Sequence, residues 1–83
     1  MRVTNYSEYH NYRDAAQYWA EAGDDVLARE AARDAVRAAG LDPTPLNTRE
    51  LYCLASVGHM LPADPNLLRA TLSHDFQKSL ALI

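Results

Sequence analysis

A chain of 83 residues, 48% of them hydrophobic, has room for one domain with a modest core and too much apolar material for an unstructured one. Its net charge of −3 gives no basic field to attract phosphates, and is too small to imitate DNA by charge density. No apolar run approaches the roughly 18 residues of a bilayer span, and the polar start MRVTNYSEYH lacks a secretory core. A lone cysteine, Cys53, excludes an intramolecular disulfide, so the expected setting is reducing and cytoplasmic. With Met1 in place, the chain reads as a complete small protein.

The first predicted helix covers about residues 7–22, with Ser7 as N-cap and Gly23 just past its C-terminus. Four of the chain's five tyrosines and its only tryptophan fall between Tyr6 and Trp19. Helical spacing explains most of that run as a buried stripe, because Tyr9, Tyr12, Ala16, Trp19 and Ala20 share one face. His10, Arg13, Asp14, Gln17 and Glu21 take the opposite one. Tyr18 breaks the pattern and projects to the polar side, near Asn11. Tyr6 is expected ahead of the helix, folded back over it.

A second helix is predicted over about residues 25–39, opened by Asp24 and followed by Gly40. Its apolar face is Leu27, Ala28, Ala31, Ala32, Ala35, Val36, Ala38 and Ala39, almost all alanine. Small side chains admit a close neighbour, and that neighbour must bring the bulk. The tryptophan and tyrosines of the first helix do so, which predicts an antiparallel hairpin joined through the turn AGDD.

The segment LDPTPLN puts Pro43 and Pro45 into a rigid, extended break over residues 42–47. Asn47 and Glu50 then have capping-box spacing, and Leu46 and Leu51 that of a hydrophobic staple. The third predicted helix, about residues 48–61, is apolar over so much of its circumference that it should be central. Leu51, Leu54, Ala55, Gly58 and Leu61 form its main face, widened by Cys53, Val57 and Met60. Pro62 stops it, and Asp64 with Pro65 opens a fourth, about residues 65–82, striped by Leu68, Leu72, Phe76, Leu80 and Ile83. Ser73 offers a second start that would split this segment in two. No stretch alternates like a strand. The expected fold is all-α: a single-domain bundle of four short helices, or five.

Signatures of chemistry are missing. There is no GxGxxG, phosphate loop, HExxH or paired CxxC. Cys53 and His59, six residues apart, face different sides of one helix, and His10 and His74 bring no further ligand set. Ser73, His74 and Asp75 are consecutive, so they cannot face one another as a relay. Tyr52, Ser56 and His59 do share a helix face, but nothing supplies an orienting partner or a dry pocket, and a contact surface is the simpler reading. Neither a cofactor nor a metal is expected.

Arg29, Arg33 and Arg37 form a ladder along the second helix. Glu30 and Asp34 interleave with it, and Asp25 can pair with Arg29, so a salt-bridged face fits better than a phosphate track. A helix-turn-helix reading fails on the long, proline-rich break and on a recognition helix offering only Arg49.

The expected function is therefore that of a non-enzymatic protein-binding module, an inhibitor or regulator that covers a surface of a larger, bacterial complex. Its anchors would be Tyr18, Tyr52, His59 and the ladder of Arg29, Arg33 and Arg37, since tyrosine and arginine dominate interfaces. Size, charge and absent motifs match those of phage and mobile-element inhibitors of host defence, including anti-CRISPR proteins, as a profile and not a sequence resemblance. The alternative is a dimeric DNA-associated transcriptional regulator using the ladder. A homodimer is expected if Tyr6, Tyr9 and Tyr12 are too many for one small core.

Overall fold

A computed structural model describes residues 5–56 and 61–70. Those residues form helices and their connections, without strands: α1 (Tyr6–Glu21), α2 (Asp25–Ala38), α3 (Thr48–Ser56) and α4 (Pro65–Ala70). The all-α expectation holds. The predicted stripe at Leu72, Phe76, Leu80 and Ile83, the restart at Ser73, and Val57, Gly58, His59 and Met60 of the third segment lie outside the described residues.

The start of α1 differs from expectation. Its N-cap is Asn5, whose Oδ1 accepts from the Glu8 backbone N–H at 3.0 Å, and not Ser7. Asparagine is as good a cap as serine, and using it gains the helix another half turn. Tyr6 is consequently the first helical residue and is not folded back over the helix. The Asn5 N–H donates to the Ala38 carbonyl at 2.8 Å, so the beginning of α1 sits beside the end of α2. The two helices run antiparallel, as the short turn requires.

That turn is built by two residues. Gly23, at φ 85°, takes the left-handed conformation open to glycine, and Gly23 and Asp24 donate back to the carbonyls of Ala20 and Trp19 at 3.2 and 2.9 Å. Asp24 then opens α2, its Oδ1 accepting from the Leu27 N–H at 3.1 Å. The far end of α2 repeats the device, with Gly40 at φ 82° and the Leu41 N–H reaching the Val36 carbonyl at 3.1 Å.

Between the helices lies the alanine pavement. Ala28, Ala32, Ala35, Val36 and Ala39 are fully buried, against Tyr9 and Ala16 of α1 and Leu51, Leu54 and Ala55 of α3. Trp19, Tyr12 and Ala20 pack on this core while staying partly accessible. Leu27 departs from the predicted face: it is 36% exposed. It lies on the same edge of the stripe as Ala31 and Ala38, which keep slight exposure, so the stripe is less completely covered along that edge.

The proline segment is turned and not extended. Asp42 Oδ1 accepts from the Thr44 N–H at 3.0 Å, the Leu46 N–H reaches the Pro43 carbonyl at 2.9 Å, and Pro43 is buried. Asn47 caps α3 as expected, accepting from the Glu50 N–H at 2.9 Å, with Leu51 buried and Leu46 packed on the core. Leu61, expected at the end of the third helix, lies in the link before α4 and is fully buried.

Two arginines and a tyrosine pin the later segments to the hairpin. The Tyr9 hydroxyl donates to the Pro62 carbonyl at 2.6 Å, and Arg13 Nε donates to the Leu61 carbonyl. Arg13 thus turns towards the link and not wholly to the polar face. From α4, Arg69 donates through Nε and Nη2 to the Ala39 carbonyl at 3.1 and 2.8 Å, placing a cation at the negative end of α2.

Candidate protein-binding surface

Among the described residues Tyr18 is the most exposed of the large apolar side chains, at 63%, because it points directly away from the stripe that α1 buries. Its ring stands edge-on to Trp19, with centroids 4.9 Å apart and an interplanar angle of 79°. That arrangement holds an outward aromatic in place at little entropic cost. Tyr52, on α3, is 37% exposed, and Ser56 one turn later is also exposed. His59, the third member of that predicted face, lies outside the described residues.

A shallow cleft of about 230 Å³ runs between α1 and α3, lined by Gln17, Ala20, Glu21, Ala55 and Ser56. Tyr18 adjoins Gln17 in sequence, and Tyr52 stands one helical turn before Ser56. Among the described residues that line the cleft, Glu21 is the one titratable side chain.

The arginine ladder is present and largely neutralised. Arg29 pairs with Asp25 at 3.0 Å and Arg37 with Asp34 at 3.3 Å. Arg33 is exposed and makes no ion pair among the described residues, but shares a depression with Glu30, Asp34 and Arg37. Such pairs contribute a few tenths of a kcal/mol each and leave little net field for phosphates.

Among the described residues no group of three or more His, Cys, Asp or Glu side chains could hold a metal ion. Cys53 is free and buried. Burial pushes the Tyr9 phenol up to about 12; Arg13 opposes the shift and Asp64 adds to it. Its hydrogen bond to the Pro62 carbonyl gives this phenol a structural role as a donor. Within the described residues no buried side-chain polar atom lacks a partner, and no helix is long and apolar enough to cross a membrane.

The chain shows no significant match to a protein-family model, a curated protein or a solved structure. The surface itself is therefore the guide to function. Sequence spacing identified Tyr18 and Tyr52 as outward, but missed Leu27 and Val26, 36% and 50% exposed at the start of α2. The signal available for Val26 was its place on the arginine side of the wheel.

Proposed function

We propose that this protein is a non-enzymatic binding module, a small inhibitor or regulator that acts by covering a surface of a larger protein complex. The exposure of Tyr18, held edge-on by Trp19, carries the reading. A rigid aromatic left outside a core that could bury other tyrosines is a typical interface anchor. Tyr52 on α3 provides a second. The paired arginines support a protein partner over a nucleic acid, because their charge is already spent on Asp25 and Asp34. A bacterial cytoplasmic setting, and the kinship of role with phage and mobile-element inhibitors, rest on the profile of size, charge and composition.

The test is affinity capture from a bacterial host extract, run in parallel with duplex DNA binding at low salt. The wild-type chain is expected to retain a defined complex, the double variant Tyr18→Ala with Tyr52→Ala to lose it, and naked DNA not to bind. DNA binding that falls steeply with salt, and disappears when Arg29, Arg33 and Arg37 are all changed to Glu, would replace this reading with that of a DNA-associated regulator.

A further inference from the structure

Beside the α1–α3 cleft, one exposed strip among the described residues has a composition that selects its partner. Tyr12 and Asp34 line one depression on the α1–α2 seam. Seven residues further along α1 is Trp19, and seven back along α2 is Leu27. A heptad step returns to nearly the same helix face, so in an antiparallel hairpin these two residues flank the same seam at its turn end. Tyr18, edge-on to Trp19, extends the strip on the α1 side, and on the α2 side the exposed Val26 adjoins Leu27 in sequence.

The charges nearest the turn end of this strip are mostly acidic, and the cation Arg33, without an ion pair among the described residues, lies further along α2, in the depression that Glu30 also lines. Glu21 follows Tyr18 by three residues, Glu30 follows Val26 by four, and Asp24 lies in the turn between. Glu21 and Glu30 are exposed and form no ion pair among the described residues. The nearby Arg29 is taken by Asp25, and the last turn of α1 has no basic residue.

We propose that the turn end of the α1–α2 hairpin docks a basic protein surface, with Tyr18, Trp19, Val26 and Leu27 as the apolar centre and the acidic side chains as the matching rim. This rests on the protein-binding reading above and names the chemistry of the partner. An apolar centre within a charged rim is how specific interfaces are built, and complementary charge at the rim selects the partner and speeds its approach. The same rim disfavours the other occupants. Nucleic acid and anionic lipid would bring phosphates against Glu21, Asp24 and Glu30. A second copy docked by the same face would oppose one acidic rim to another.

Trp19 is the chain's only tryptophan, so its fluorescence reports from inside the strip. The probes are a tryptophan-free amphipathic Leu/Lys helical peptide and its Leu/Glu counterpart. The Leu/Lys peptide should change Trp19 emission saturably, more weakly as salt rises, and the Leu/Glu peptide should not. Tyr18→Ala should weaken the Leu/Lys complex about tenfold, and Tyr52→Ala on α3 should weaken it less. Both substitutions are at exposed positions, and circular dichroism checks that the helices persist. Equal response to the two peptides overturns the charge selection. A larger loss from Tyr52→Ala than from Tyr18→Ala overturns the location, yet leaves the protein-binding reading standing. A salt-sensitive response to duplex DNA that exceeds the peptide's overturns both.

Discussion

Tyr9 shows how much one side chain can do in a small core. It is fully buried, its ring fills space beside the alanines of α2, and its hydroxyl holds the Pro62 carbonyl. The folded phenol keeps its proton to about pH 12, whereas the unfolded one releases it near 10.0. Below pH 10 both states are neutral and the burial contributes in full. Between those values the unfolded state alone ionises, so stability falls as pH rises. Tyr9→Phe should be less stable than wild type by about 1 kcal/mol near neutrality, from the lost hydrogen bond. That gap should close by about pH 11, where the wild type has lost roughly 1 kcal/mol that phenylalanine cannot lose. Urea midpoints for the two proteins at both pH values measure it, and a gap that stays constant would remove the hydroxyl's assigned role. The tyrosine run thus divides by residue: Tyr9 inside, Tyr12 at the margin, Tyr6 and Tyr18 outside.

Helix pairing depends on alanine. Ala32 and Ala35 are fully buried where α2 meets its neighbours, and their small size sets how close the helices come. Ala35→Leu should therefore destabilise the protein by roughly 1–3 kcal/mol despite leucine's greater hydrophobicity, because the added methylenes have nowhere to go without separating the helices. A thermal scan that shows equal or higher stability would mean that the pavement is not closely packed. Arg69 makes the complementary point. In sequence it is one cation in an apolar segment, and the reading of that segment assigned it no partner. The fold brings it to the Ala39 carbonyl, thirty positions away, where it caps α2 and ties down α4. Arg13 acts likewise on the Leu61 carbonyl. Periodicity reports which side of its own helix a residue occupies. It carries no information about which distant carbonyl needs a donor.

For the molecule as a whole, the surplus of tyrosine that suggested a homodimer is smaller than it looked. Tyr9 and Tyr12 are taken into or against the core, leaving Tyr6 as the exposed member of that trio. With an acidic rim around the apolar strip at the turn end, light scattering of the pure protein is expected to return a monomer. A concentration-dependent dimer would instead point to Tyr6 or the strip as a self-association seam.

The sequence by itself determined the all-α class, the antiparallel hairpin, the caps at Asp24 and Asn47 and the outward direction of Tyr18, because each depends on interactions within a few residues or on one helix's periodicity. It placed the first cap two residues late, since Asn5 and Ser7 are equivalent as local signals and only the added bond from Asn5 to Ala38 separates them. Only the tertiary structure decided that Leu27 stays exposed, that the proline segment turns back, and that Arg13 and Arg69 bind backbone carbonyls. Those outcomes depend on how far a neighbouring helix extends and where its unpaired groups lie, and chain-local chemistry does not encode either.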